Sequence, residues 1–480
     1  MPTAGDAWAG FYRSSNGGTQ WTDSLLPGYA RDTSTQGLAS PVHQMVLGGA
    51  LAAGDPLQAW DKNGNVFFMG NNFNRGTENG VSARFRDNTG DVWVATYGPS
   101  NQSASSTDGS KYLRTVILAT NTFGQGSFND KTGLQVDQVS GNVYAAWSDF
   151  HGGGCNEIMF ARSTDHGATF SAPMKVSSSI CNNQGPNMAI GPQGQVYLSW
   201  NGEISGTKGQ GGHVVQGAAF ASSNDGGRTF SMANVVVPFN GFVSGAFSGN
   251  GSRDCGDGPF ACPSGQTFPR FDLAQPSIAS TSDGAIYIVF MAALPSGQGQ
   301  AQIVKSTNGG GTWSGATALD PQSNGHQFFP WITASGMNLS AVYYDSRLDP
   351  NYAANRAPCN GAAGQGSPCL AVWYSASTNG GSTWVHNQLT DTLTNPNLEQ
   401  FGTRRVPFFG DYIMVSAVGT SIQAVWTDQR DAKVGGGPDG NDVAGDPVAG
   451  GPKTCASSSD DCFDGTGGLD QNIYSEIVNS

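Results

Sequence analysis

The sequence predicts an all-β chain folded as a six-bladed β-propeller of four-stranded antiparallel blades, and three observations carry that expectation. An octapeptide recurs along the chain, the same apolar strands recur in front of it, and no segment of useful length has helical period.

The octapeptide reads S-x-[DN]-x-G-x-T-[FW]. Clean copies begin at Ser163, Ser223, Ser306 and Ser377, a looser one at Ser14, and a degenerate one at Ser106. Its chemistry is that of a turn. The Asp or Asn carboxyl or amide oxygen can accept backbone N–H groups of its own loop, and glycine takes a conformation closed to other residues.

Before the octapeptide lies an apolar strand, as in Glu157–Arg162 and Leu370–Ser375. Before that lies a second strand ending in polar residues: Asn65–Asn72, Asn142–Asp149, Gln195–Asn201, Ala285–Met291, Leu339–Arg347 and Ile422–Arg430. A shorter apolar run precedes each, for example Gly185–Ile190 and Gln275–Ala279. The unit is therefore three strands, the octapeptide turn and a fourth strand. One such unit cannot bury both its faces, so units stack around an axis.

Six units fit residues 1–480 as a single domain whose closing blade is shared by the two ends of the chain, with a Gly/Asp-rich insertion over 431–470. Asn472–Val478 and Ala9–Arg13 both read as the third strand of that blade. Either one changes role, or a partial seventh blade exists.

The 69 glycines are about twice the usual share and suit many tight turns. A net charge of −13 with 23 Lys and Arg gives no basic footprint for nucleic acid. No apolar run is long enough to span a membrane. The eight cysteines contain no C-x-x-C pair, which points to disulfides in an exported, extracellular protein rather than to zinc. The expected pairs are Cys155–Cys181, Cys255–Cys262, Cys359–Cys369 and Cys455–Cys462, and the signal peptide of an exported chain is absent from this sequence. Acidic loops at Asp439–Asp442 and at Asp460, Asp461 and Asp464 offer hard oxygen ligands suited to calcium, although neither has EF-hand spacing. No cofactor is otherwise required.

The octapeptide resembles the Asp-box, the bacterial neuraminidase repeat, and the whole chain is similar to the sialidase superfamily at the level of repeats. Phe408–Tyr412 and Val425–Arg430 look like segments of sialidase-like exported proteins. The resemblance implies a glycan substrate, an arginine triad for its carboxylate, a Tyr nucleophile activated by Glu, and an Asp acid/base. No Arg-Ile-Pro or Arg-Leu-Pro stands near the N-terminus, where the first triad arginine is expected; Arg405-Val-Pro407 stands late in the chain.

In a propeller the octapeptides mark the face away from the site. The opposite face carries second-strand ends and first-strand starts. There the sequence places Asn72, Asp149, Glu203, Asp345, Arg347, Asp428 and Arg430, and Arg270, Asp272, His326, Arg405, Asp411 and Tyr412. On the resemblance, Tyr412 is the nucleophile, Glu203 its partner, Asp149 the acid, and Asp411 a neighbouring carboxylate. Arg270, Arg347, Arg405 and Arg430, with Asp345 and Asp428, would bind substrate. The two Asp-x-Arg pairs read equally well as staples between blades.

The function expected is an exported glycoside hydrolase cleaving a terminal, acidic sugar. The alternatives are a propeller that binds glycan or protein without catalysis, and a polysaccharide lyase.

Overall fold

A computed structural model describes residues 8–50, 52–73, 90–99, 111–120, 128–150, 155–178, 180–203, 216–239, 275–354, 358–359, 368–395, 410–430 and 472–479. The chain divides into two compact units, Met1–Val236 and Val237–Ser480.

The first unit opens with a hairpin, β1 (Gly10–Arg13) and β2 (Thr22–Leu25), and two short helices, α1 (Thr35–Ala39) and α2 (Pro41–Leu47). Ser34 caps α1, its Oγ accepting from Gly37 N at 2.9 Å. Three sheets follow. The first is β3 (Ala52–Trp60), β4 (Val66–Phe73), β5 (Asp91–Gly98) and β6 (Lys111–Ala119). The second is β7 (Phe128–Val136), β8 (Val143–Phe150), β9 (Glu157–Ser163) and β10 (Met174–Lys175). The third is β11 (Cys181–Ile190), β12 (Val196–Glu203), β13 (Gln216–Ser223) and β14 (Asn234–Phe239), the last running over the boundary.

The second unit holds β15 (Ser277–Ser280), β16 (Ile286–Ala293), β17 (Gly299–Ser306) and β18 (Thr317–Ala318) as one sheet. Another is β19 (Gln327–Ser335), β20 (Asn338–Asp345), β21 (Ala371–Ser377) and β22 (Val385–Gln388). The last has three strands, β23 (Met414–Val418), β24 (Ser421–Asp428) and β25 (Asn472–Asn479). In every sheet the strands lie in chain order. These six sheets are the blades of a β-propeller. The third position of the last blade belongs to β25, whereas β1 pairs with β2. That hairpin lies on the first blade, where Trp8, Phe11 and Leu26 join a core with Phe68, Trp93 and Tyr97.

The apolar runs of the second strands follow from burial on both faces. Every residue of β4 is buried. On β8, Val143, Ala145 and Trp147 meet Phe67, Met69 and Val92 of the preceding blade. Tyr144 and Ala146 point the other way, to Val196, Leu198 and Trp200 of the next. A strand buried on both sides cannot alternate apolar with polar, so it reads as a continuous apolar run. Each fully buried aromatic contributes about 2–3 kcal/mol relative to exposure.

The octapeptides link third to fourth strands. In each, the Ser Oγ accepts the N–H of the glycine four residues on: Gly167 at 2.8 Å, Gly227 at 2.9 Å, Gly310 at 3.0 Å and Gly381 at 2.9 Å. The Asp or Asn Oδ1 accepts the N–H four residues beyond it: Thr169 at 2.9 Å, Thr229 at 2.9 Å, Thr312 at 2.9 Å and Thr383 at 3.0 Å. The looser copy does the same, Gly18 N reaching Ser14 Oγ at 2.8 Å and Gln20 N reaching Asn16 Oδ1 at 2.9 Å. Gly227 shows why glycine is needed. Its φ is +76°, and a Cβ there would stand 2.7 Å from the Phe160 ring. The degenerate copy at Ser106 lies outside the described residues.

Two disulfides are described, Cys155–Cys181 and Cys359–Cys369. Cys255, Cys262, Cys455 and Cys462 lie outside the described residues. None of the described helices is long and apolar enough to cross a membrane.

The turns set an acid limit on stability. The Thr169 hydroxyl, donating to Asp165, holds that carboxyl down at about 2 against an ordinary 3.8. The Thr229 hydroxyl lowers Asp225 further. A carboxyl depressed by folding stabilises the fold above its unfolded value and loses that contribution as pH falls through the folded one. The asparagine turns cannot titrate. We therefore expect the double variant Asp165→Asn/Asp225→Asn to keep its fold at pH 7 and to show a shallower loss of Tm between about pH 4 and pH 2. An unchanged acid slope by circular dichroism would contradict this.

Candidate functional site

The end of the blades remote from the octapeptides is built from strand register. Val66, Val143, Val196 and Ile286 open their second strands, and Leu339 and Ile422, each one residue inside theirs, stand in the equivalent places. Six residues on stand Asn72, Asp149, Gly202, Ala292, Asp345 and Asp428. Glu203 comes one residue later than this position, so alternation turns it to the other face.

The innermost strands are bulged here. The register slips by one residue between Gly54 and Leu57, Asp130 and Gly133, Gln184 and Asn187, and Phe328 and Trp331. Each bulge holds a residue at positive φ: Asp55 at 49°, Lys131 at 53°, Gly185 at 66° and Phe329 at 52°. Three of the four are not glycine, which places backbone strain at the same point of three blades.

In the first unit the bulges are tied by the preceding blade. Asn71 Nδ2 donates to Asn129 O at 3.0 Å and to Asp130 Oδ1 at 3.2 Å. Asp55 Oδ2 accepts Lys131 N at 2.7 Å. Ser148 Oγ accepts Gly185 N at 3.0 Å. Beside these bonds lie buried amide groups with no hydrogen-bond partner among the described residues. They are both polar atoms of Asn72, which is 0% exposed, and the Oδ1 atoms of Asn71 and Asn201. The indole N–H of Trp93 is in the same state. Asp149 is half-buried, opposite Asn129. Glu203 accepts from Asn182 Nδ2, and Asn182 follows the disulfide-bonded Cys181.

In the second unit the Asp-x-Arg pairs form the same assembly twice. Arg347 Nη2 donates to Asp345 Oδ2 at 2.6 Å and to Asp320 Oδ2, and Asp320 follows the outer strand of the preceding blade. The guanidinium lies 3.6 Å from the centroid of Trp373 on β21. Arg430 donates to Asp428 Oδ2 at 2.8 Å and to Asp391 Oδ1 at 2.9 Å, Asp391 again following an outer strand. Its guanidinium lies 4.2 Å from the ring of Tyr474 on β25. Both arginines are thus laid over a third strand and turned away from the innermost one.

The first pair is the more buried. Burial pushes the Asp345 carboxyl up, with Arg347 offsetting only part of it. Burial also raises Asp320, but bonds from Arg347, Tyr343 and Gln322 outweigh it and leave it below the ordinary value. Arg347 is itself raised, since its two carboxylates more than offset its desolvation. Asp320 extends the network to Tyr343 OH at 2.8 Å, which meets Ser375 Oγ at 2.9 Å, which meets His386 Nδ1 at 2.8 Å.

The remaining candidates lie apart from these staples. His326 is buried, its Nδ1 accepting Gly299 N at 2.9 Å, which fits a tether. Asp411 is buried and Tyr412 half-buried just before β23, the Tyr412 ring 6.2 Å from that of Trp331 and tilted by 43°. Tyr412 and Glu203 belong to different units. Arg270, Asp272, Arg405, Asp439, Asp442, Asp460, Asp461 and Asp464 lie outside the described residues. Among the described residues no three His, Cys, Asp or Glu side chains group as a metal site.

Asp320, Asp391, Trp373, Tyr474 and Trp331 were not singled out in the sequence. The recurrence of an Asp shortly after a fourth strand, with an aromatic on the next third strand, is the signal that would have found the staple partners.

No protein-family model matches the chain, and no curated protein matches it. Similar solved structures include a protein of unknown function from Dyadobacter fermentans, at 13% identity over 78% of this chain and 90% of that one, with a TM-score of 0.47. A Hadza microbial sialidase matches at 12% identity over 79% of this chain, with a TM-score of 0.44, and this chain spans 64% of its length. An ulvan polysaccharide lyase matches at 13% identity over 78% of this chain and 76% of that one, with a TM-score of 0.40. No statement about activity follows from likenesses at this level.

The two staples differ in burial, and that difference is measurable. Removing Arg347 leaves Asp320 and Asp345, 3% and 0% exposed at their side chains, facing one another. Arg347→Ala is expected to cost about 3–5 kcal/mol in urea unfolding. Arg430→Ala is expected to cost less, because Asp391 is 82% exposed and screened by water. Equal losses would mean that burial does not set the strength of the staple.

Proposed function

We propose that this chain is an exported, glycan-recognising β-propeller of sialidase-like fold, and that it takes the sugar at the second-strand ends. The observation that carries this reading is the buried side-chain amide of Asn72, with no hydrogen-bond partner among the described residues on either polar atom. An unpaired buried amide costs about 1–3 kcal/mol, which a sugar hydroxyl, acting as donor and acceptor at once, can offset. Asn71, Asn201, Asp149 and Glu203 supply further hydroxyl-directed groups on the same unit. The resemblance of the turns to the Asp-box and the two disulfides support the exported, sialidase-like part of the reading.

Hydrolysis is the second reading, and Asp149 favours it. It stands at the strand position of Asp345 and Asp428, yet His151 rather than arginine follows two residues on. Asp149 would then protonate the leaving group of a sugar held at the second-strand ends of the first unit.

The test is a panel of fluorogenic sialosides, uronides and neutral glycosides, run beside binding to the matching free sugars. Recognition without turnover supports the first reading. Turnover that falls at least about a hundredfold in Asp149→Asn supports the second. Asn72→Leu is expected to raise Tm while lowering sugar affinity about tenfold. Unaltered affinity in that variant would remove Asn72 from the site.

A further inference from the structure

We propose that Trp331 and Tyr412 form a stacking platform for the C–H face of a pyranose ring, a sugar-contacting subsite carried by the second unit. The proposal rests on the glycan reading above and adds to it where the ring lies and by what chemistry.

Trp331 sits on β19, the innermost strand of its blade, directly after the one-residue bulge. The bulge holds Phe329 at a φ of 52°, a conformation that bulky side chains rarely adopt. Bulges of this kind re-aim the side chain that follows them. The equivalent residues of three other blades are Leu57, Gly133 and Asn187. Leu57 is 3% exposed and Asn187 is 9% exposed. At Gly133 a side chain is excluded, since a Cβ would stand 2.4 Å from Pro186 O. Among these four bulged strands only β19 sets a large aromatic there, and it is left partly open to solvent.

Tyr412 supplies the second wall. Its half-buried ring stands 6.2 Å from Trp331 at 43°, so the two planes form a shallow cleft rather than a stack. Aromatic faces carry negative potential, and the C–H bonds on one face of a pyranose present the complementary edge. Arg347 and Arg430 are each held by two carboxylates and lie over third-strand rings. The described cations of these two blades are therefore turned away from the cleft, and an uncharged sugar face suits it.

Native gels cast with laminarin, xylan, polygalacturonate or hyaluronan test the idea, run with wild type, Trp331→Ala and Trp331→Phe. At least one polysaccharide is expected to retard the wild type. Trp331→Phe should retain most of that retardation, whereas Trp331→Ala should lose about tenfold in affinity with its Tm within a few degrees of wild type. Should Trp331→Ala fail to fold, tryptophan fluorescence decides: the polysaccharide-induced change seen in wild type is expected to be reduced in Trp331→Phe. Full retardation of a folded Trp331→Ala, or an undiminished fluorescence change in Trp331→Phe, overturns the platform and leaves glycan recognition standing. A wild type retarded by none of the four overturns both.

Discussion

Burial of the second strand on both faces is the constraint on which the rest depends. Alternation along β8 sends Trp147 to one neighbouring blade and Tyr144 to the other. The same alternation continues past the apolar run into the polar strand end. Ser148 therefore reaches the bulge of the next blade, while the next residue, Asp149, is turned to the opposite side. One register thus fixes both the core and the direction in which each candidate site residue points.

The polar ends of these strands are used in two ways. In the last two blades they are closed on themselves. An Asp, an Arg two residues on, an Asp from the preceding blade and a third-strand aromatic are bound to one another. A guanidinium matches two carboxylates and stacks on a ring in a way lysine cannot, which explains arginine at both places. In the first unit the strand ends hold amides, Asn71, Asn72 and Asn201, with atoms that have no hydrogen-bond partner among the described residues, Asn72 above all. Closed ends hold blades together, and open ends are where a ligand hydroxyl can be received.

Strain is distributed to match. Asp55, Lys131 and Phe329 hold left-handed backbone in the innermost strands. Each costs on the order of 1–3 kcal/mol and persists because neighbouring bonds fix it. Asp55 is fixed through Lys131 N and Thr132 Oγ1, at 2.7 Å and 2.6 Å. The octapeptide turns at the other end use glycine at the positions that need positive φ, and carry no such strain in their clean copies save His166.

The sequence alone determined the blade. The octapeptide, the apolar second strand and the cysteine pairs are local, and a turn closed by its own Ser and Asp needs nothing from elsewhere in the chain. Two of the expected disulfides, Cys155–Cys181 and Cys359–Cys369, join in the fold. Tertiary structure alone decided the partners. Asp320 lies 27 residues before Arg347 and Asp391 lies 39 before Arg430. Those contacts arise only when neighbouring blades meet, and the recurring Asp after a fourth strand gains its meaning only from that meeting. The slot contested by the two termini was settled in the same way, by hydrogen bonding of β25 along β24. Bulges, too, are invisible in composition, because they come from how the paired strand fits rather than from the residue that bears them. Trp331 carries no mark in the sequence, and the bulge before it places it beside Tyr412.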